Sequence, residues 1–150
     1  MKMKIDERIK LAISKGYSCS PDTGEIFGIK GNRIGHINSD GYEVFSIKYN
    51  NLRFFIKSHQ FIYYYVNRLI VDCIDHIDRN RTNNRINNLR SVTKQQNSFN
   101  SFGIGYSINK NGKYEAKIKV NYKTIYLGSF NTKEEASNAY LNAKKLYHMI

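Results

Sequence analysis

Tryptophan is absent from this 150-residue sequence, and cysteine occurs only twice, at Cys19 and Cys73. The two cysteines lie far apart and form no Cys-x-x-Cys pair, which argues against a structural zinc site. So sparse a set also argues against a disulfide framework and fits a reducing compartment. Long apolar runs are missing too. The longest, residues 61–66, is far too short to span a bilayer. The first fifteen residues mix Lys and Arg with Asp6 and Glu7 and lack the apolar core of a secretory signal. The expectation is a cytoplasmic chain without membrane association. Acidic residues are scarce: 12 Asp and Glu face 24 Lys and Arg, for a formal net charge of +12.

Such a one-sided charge favours a polyanionic partner. What the chain has in quantity supports the same class, since 12 Tyr and 8 Phe are interleaved with the basic residues. Cations meet phosphate while rings meet sugar or base. An AT-rich coding sequence would also enrich Lys, Asn, Ile and Tyr, but it does not explain the imbalance of charge.

Along the chain, Ile5, Ile9, Ala12 and Ile13 recur at helical spacing and predict a short amphipathic helix over residues 4–14. Gly16, Pro21, Asp22 and Gly24 then mark turns. Residues 25–57 form short β segments divided by Gly31, Gly35, Gly41 and an Asn50-Asn51 turn, with Val44, Phe45 and Ile47 as strand formers. Residues 59–67 read as a buried helix, 70–74 as a short strand, and 78–88 as a polar loop rich in Asn and Arg. A returning strand is expected over 89–92 and a helix capped by Thr93 over 93–100. Ser, Asn and Gly cluster over residues 98–105, where a linker is expected. Beyond it, Tyr114, Ala116, Ile118 and Val120 alternate with Lys113, Glu115, Lys117 and Lys119, the pattern of a half-buried strand. Asn121 and Tyr122 turn the chain into a strand with Ile125 and Leu127 inward, ended by Gly128. Thr132 and Glu135 then form a capping box ahead of a stripe made by Ala136, Ala139, Tyr140, Ala143, Leu146 and Tyr147.

Cys73-Ile74-Asp75-His76-Ile77-Asp78, followed by Asn83-Asn84-Arg85-Ile86-Asn87-Asn88-Leu89-Arg90 and then Gln95-Gln96-Asn97, resembles the His-Asn-His (HNH) endonuclease family. The likeness is strongest to the homing-type branch carried by phages and mobile introns, and runs over residues 59–100. It implies a ββα-metal (His-Me finger) nuclease fold in an α+β chain, with residues 1–100 as the nuclease domain, 57–100 as its core, and N-terminal β-hairpins as a DNA-contacting extension. The residue types suit phosphodiester hydrolysis. A neutral imidazole, with a pKa near working pH, suits His76 as general base. Oxygen donors suit one Mg²⁺ or Mn²⁺ ion, which the resemblance assigns to Asp75 and Asn97. The family's middle Asn falls on Asn87 or Asn88. Asn88 is the better match because it directly precedes Leu89, and it is expected to brace the loop and help orient the histidine. His59 matches a histidine at the start of the family's segment and is expected to be structural. Arg79, Arg81, Arg85 and Arg90 are candidates for phosphate contact, whereas Asn80, Asn83 and Asn84 are expected to serve turn geometry.

Residues 103–148 resemble the DNA-binding domain of ethylene-response factors, a three-stranded antiparallel sheet packed on one helix. The matching stretches include Lys113-Tyr114-Glu115-Ala116-Lys117-Ile118, Ile125-Tyr126-Leu127-Gly128-Ser129-Phe130 and Glu134-Glu135-Ala136. The resemblance implies a second domain over 103–150 whose outward face shows Lys113, Lys117, Lys119, Tyr122, Thr124 and Tyr126 to double-stranded DNA. The family's usual Trp and several Arg positions are Tyr, Asn or Lys here, and Lys is a poorer bidentate reader of guanine than Arg.

The sequence therefore points to a metal-dependent DNA endonuclease that nicks or cuts, acting as a monomer without an obligate protein partner. A non-catalytic DNA-binding or regulatory protein on the same fold is the runner-up. A structural RNA-binding protein is allowed by the charge but not by the motifs.

Overall fold

The computed structural model describes residues 3–99 and 103–147, as a mixed α/β chain whose sheets are all antiparallel. It divides into two compact units, Met1–Ser91 and Val92–Ile150. The division precedes the Ser, Asn and Gly cluster taken as a linker. Residues 100–102 of that cluster, with residues 148–150 of the C-terminal segment, lie outside the described residues.

The first unit opens with α1 (Ile5–Ser14), whose Ile9 and Ala12 are buried. A meander follows of β1 (Ser18–Ser20), β2 (Glu25–Phe27) and β3 (Arg33–Ile34). A second meander joins β4 (His36–Ile37), β5 (Glu43–Tyr49) and β6 (Leu52–Lys57). The β5–β6 hairpin turns on Asn50 and Asn51, both left-handed (φ 48° and 61°), the geometry that a two-residue turn needs to match strand twist. Next comes α2 (Ser58–Asn67), ended by Arg68 in the left-handed region. A helix of ten residues is marginal in isolation. Here Phe61 and Ile62 are wholly buried, each contributing about 1.5–3 kcal/mol, and this anchors the first turn that carries Ser58 and His59. Phe61 meets Phe45 edge-on at 5.2 Å, and Phe45 stacks with Tyr17 at 5.8 Å. Ile26, Ile47, Ile56 and Leu89 complete one core.

The strand expected at residues 70–74 forms later, as β7 (Ile74–His76), because its ladder partner is β8 (Leu89–Ser91). Asp75 pairs with Arg90 and His76 with Leu89, so the hairpin carries Asp75 and His76 at the mouth of the loop that joins its strands. A single 3-10 turn (Ile86–Asn88) closes that loop.

In the second unit, α3 (Lys94–Phe99) begins with a reciprocal cap. The Gln96 N–H donates to Thr93 Oγ1 at 3.1 Å, and the Thr93 N–H donates to Gln96 Oε1 at 2.9 Å. Strands β9 (Tyr106–Ile108), β10 (Tyr114–Val120) and β11 (Lys123–Phe130) form a sheet with β10 in the centre. Ala116 and Ile118 are fully buried beneath α4 (Lys133–Tyr147), while Lys113, Lys117 and Lys119 are exposed. Gly128 does not end β11, since it pairs with Ala116 at a bulge and the strand continues to Phe130. The helical stripe is also shorter than expected. Ala136 and Ala143 are buried, but Leu146 and Tyr147 are 68% and 45% exposed, beyond the reach of a three-stranded sheet.

Gly24 makes a close approach that no other residue would allow. It sits at φ +78°, and a Cβ there would lie 2.8 Å from both the Arg85 nitrogen and the Asn84 carbonyl carbon. The Ile86 N–H donates to the Pro21 carbonyl at 2.9 Å in the same contact. The β1–β2 turn is thus pressed against the backbone of the Asn-rich loop. Gly24→Ala should cost about 2–4 kcal/mol, from left-handed strain plus steric overlap. Urea unfolding checks it, and an unchanged midpoint would show that the turn can lift off.

Candidate active site

Residues 77–88 must cross from β7 to β8 without regular pairing, so their backbone groups need side-chain partners. Asp78 and the asparagines supply them. The Asp78 N–H donates to Asn88 Oδ1 at 3.0 Å, while Asn88 Nδ2 donates to Asp78 Oδ1 at 2.9 Å and to the Asn83 carbonyl at 2.8 Å. Asn83 Nδ2 donates to Asp78 Oδ2 at 2.7 Å, and the Asn80 N–H donates to Asp78 Oδ1 at 2.8 Å. Burial acts against ionisation of Asp78, but the hydrogen bonds from Asn83, Asn80 and Asn88 outweigh it and hold the carboxyl below its ordinary value. Asn88 is the buried member of the Asn87-Asn88 pair. Its amide spans the loop from Asp78 to the Asn83 carbonyl.

Asn84 reaches the His76 ring. Expected to serve turn geometry, it is instead 1% exposed, with Oδ1 placed 3.2 Å from His76 Nε2. Its Nδ2 donates to Glu43 Oε2 at 3.1 Å. Glu43 comes from β5 and is itself buried, with Arg33 Nη2 at 3.4 Å from its other oxygen. A carboxylate only accepts hydrogen bonds, so the Asn84 amide must turn its NH₂ to Glu43 and its oxygen to His76. The oxygen likewise only accepts, so Nε2 carries the ring proton. The lone pair of a neutral His76 then lies on Nδ1.

Burial lowers the pKa of His76 from the ordinary histidine value, against the Asn84 hydrogen bond and the charges of Asp78 and Asp75, which raise it. His59, from the first turn of α2, presents its ring edge-to-face at 5.0 Å. Its pKa is pushed down to about 3 by burial first, then by His76 and Lys57. Among the described residues its buried Nδ1 has no hydrogen-bond partner. Tyr42 packs beside both imidazoles, at 5.2 Å from His59 and 6.1 Å from His76. Lys57 Nζ lies 3.9 Å from the Tyr42 ring centre and the Arg81 guanidinium 5.0 Å, within cation–π range. Arg81 also donates to the Asp40 carbonyl at 2.7 Å, tying the loop to the β4–β5 turn.

Asp75 is buried, and its Oδ2 accepts from Arg90 Nε at 3.0 Å and Nη2 at 2.8 Å. Arg90, grouped in the sequence with the phosphate-contacting arginines, therefore has two donors on a carboxylate across the hairpin. Arg79 and Arg85 are exposed. Asn97 lies exposed on α3 in the second unit. Tyr122 and Tyr126 are 80% and 55% exposed, and Lys117 pairs with Glu115 at 2.8 Å. Sequence reasoning brought Asp75, His76 and Asn88 to one hairpin and missed Glu43, Tyr42 and the role of Asn84.

Residues 73–99, which include Asp75, His76, Asn88 and Asn97, match the HNH endonuclease family. The chain is 37% identical over 104 residues to an uncharacterized HNH endonuclease of Acanthamoeba polyphaga mimivirus, across 59% of this chain and 52% of that protein. It thus spans about half the length of the curated relative it matches. A solved structure described as DNA binding and cleavage by the HNH homing endonuclease I-HmuI has 30% identity and a TM-score of 0.49, over 56% of this chain and 50% of that one.

The buried His59 predicts an acid-labile fold. Its ordinary pKa of 6.5 falls to about 3 on folding, so between those values the unfolded chain binds the extra proton and stability rises with pH. As pH falls from 6.5 toward 3, this one group should remove about 1.4 kcal/mol per pH unit, and His76 adds a loss of the same sign. His59→Leu should flatten the slope of unfolding free energy against pH in that window. An unaltered slope would mean that His59 gains a proton without cost.

Proposed function

We propose that this chain is a metal-dependent DNA endonuclease of homing type, hydrolysing phosphodiester bonds with His76 as general base. The observation that carries this reading is the buried contact between His76 Nε2 and Asn84 Oδ1 at 3.2 Å. With its proton on Nε2, a buried neutral imidazole keeps a lone pair on Nδ1, in the residue that follows Asp75 and within the segment that matches HNH endonucleases. In this reading Nδ1 takes a proton from a water molecule, the resulting hydroxide attacks phosphorus, and the P–O bond to one deoxyribose oxygen breaks, that oxygen leaving as the new strand end and taking a proton from solvent.

Among the described residues no group of three or more His, Cys, Asp and Glu can hold a metal ion. The donor set present is one buried carboxylate, a hard oxygen ligand. It fits Mg²⁺ or Mn²⁺, which bind through one or two carboxylates while keeping several waters and phosphate oxygens. Asp75 would hold the ion; Asn97, the second ligand the sequence resemblance names, belongs to the second unit. Bound there, a divalent cation supplies stabilisation of charge developing on the phosphate and the leaving oxygen. Asn88 keeps the loop in shape, and the exposed Arg79, Arg81 and Arg85 offer phosphate contacts. The second unit is a sheet-on-helix DNA-binding module with Lys113, Lys117, Lys119, Tyr122 and Tyr126 facing the duplex. No helix among the described residues is long and apolar enough to cross a membrane.

A second reading draws on Arg90, whose two hydrogen bonds to Asp75 Oδ2 already give that carboxylate a counter-charge. In that reading the chain binds DNA without turnover. One assay separates the two. Supercoiled plasmid should become nicked or linear only with Mg²⁺ or Mn²⁺. His76→Ala should lower the rate by about 10²–10⁴ while DNA affinity is kept. Binding without scission under all divalent metals would favour the second reading, and wild-type cutting by His76→Ala would remove His76 as the base.

The lysine face of β10 makes a separate prediction. Replacing Lys113, Lys117 and Lys119 with Ala should weaken DNA binding and flatten its log–log salt dependence by up to about 0.9 per lysine. The fold should hold, because Ala116 and Ile118 pack on the other face. Lys117 should contribute less than Lys113, since Glu115 already pairs with it. Affinity and salt slope equal to wild type would mark the face as solubilising surface.

A further inference from the structure

We infer that Glu43, on β5 and 33 residues before His76, is a positioning residue that selects the reactive tautomer of His76 through the amide of Asn84. This rests on His76 acting as the base.

The amide of an asparagine is nearly symmetric in shape, so packing alone does not decide which end faces the imidazole. If the NH₂ faced Nε2, that nitrogen would have to accept, and the ring proton would move to Nδ1. A charge-assisted hydrogen bond to the Glu43 carboxylate, at 3.1 Å, removes the choice. The chain of acceptors then runs one way only, from carboxylate to amide to imidazole. Nothing in this chain is exposed: Glu43, Asn84 and His76 are 8%, 1% and 5% accessible, so water does not compete at full strength.

The surrounding fold is shaped to admit the carboxylate. Gly35 lies at φ +125°, and a Cβ there would sit 3.0–3.1 Å from Glu43 Oε1, Cδ and Cγ. Arg33 supplies the counter-charge at 3.4 Å and is itself held by Glu25 at 3.1 Å. Gly24, on the other side, lets the β1–β2 turn press on the Asn84 backbone. The N-terminal meanders thus fix both ends of the amide that addresses His76.

The test reads the tautomer directly, by ¹⁵N NMR of the His76 ring nitrogens in the full chain at neutral pH without metal or DNA, together with kcat and KM for plasmid nicking. The wild-type ring should be protonated on Nε2. Glu43→Gln offers both a donor and an acceptor, so it should give a mixed tautomer and lower kcat at least tenfold with KM unchanged. The ceiling is the roughly 10⁴-fold loss that a wrong histidine tautomer causes in the serine-protease triad. The double variant Glu43→Gln with Asn84→Asp rebuilds the one-way chain, because Gln donates to Asp and Asp accepts only. It should restore the Nε2–H tautomer and most of kcat, a rescue that loss of packing would not show. An Nδ1–H wild-type ring would overturn the inference, as would a Glu43→Gln protein with unaltered ring signals and kcat. Should Glu43→Gln fail to fold, the wild-type tautomer and the double variant still decide. Correct tautomers in a wild-type chain that never cuts DNA would support the positioning role and sink the nuclease reading instead.

Discussion

A buried imidazole that must stay neutral and present one chosen nitrogen is the constraint on which the first unit turns. Two histidines side by side in a low-polarity pocket cannot both carry charge, and burial keeps both pKa values low. Neutrality alone leaves the tautomer open. The Glu43 carboxylate closes it through Asn84, and that requires strands far apart in sequence to meet. The β5 strand brings Glu43, the β1–β2 turn supports Asn84, and α2 brings His59. Seen this way, the glycine-punctuated N-terminal hairpins are the mould around the loop. The large side chains of the core, Phe45, Phe61 and Ile47, hold that mould rigid.

The hairpin was legible in the sequence because it is local. Asp75 and His76 are adjacent, the loop is marked by asparagines, and Leu89 begins the returning strand. The two capped helices were legible for the same reason, since a Thr followed three residues later by Gln or Glu is a contiguous signal. Asn84 was not. One asparagine among several in a polar loop has no periodicity, and only the third dimension shows that it is buried while Asn80 is not. Glu43 did leave a signal that went unused. It shares strand parity with Phe45 and Ile47, so a period-two reading puts a carboxylate on the buried face. A charge on such a face calls for partners, and here they are Arg33 and Asn84.

In the second unit, sheet and helix followed from alternation and from Asn121-Tyr122, whose left-handed pair (φ 48° and 63°) makes the tight turn. What alternation could not foretell was the bulge that lets β11 run through Gly128, or the point at which α4 outgrows the sheet. Both depend on register and length across strands, which a single segment does not encode. Arg90 shows the same limit for charges. Its sequence neighbours suggest phosphate contact, whereas its ladder position opposite Asp75 gives it a carboxylate. That pair matters for any cation, since Arg90 and the metal would address the same side chain.

The central claim, that a neutral His76 acts as base, is tested most directly by the pH dependence of single-turnover DNA cleavage at saturating Mg²⁺. Burial lowers the pKa of His76 below the ordinary 6.5, so protonation should quench the base only at more acidic pH. The account predicts an acid limb of unit slope with its midpoint below 6.5. An acid limb with its midpoint above 6.5, or a profile of the same shape in His76→Ala, would contradict it.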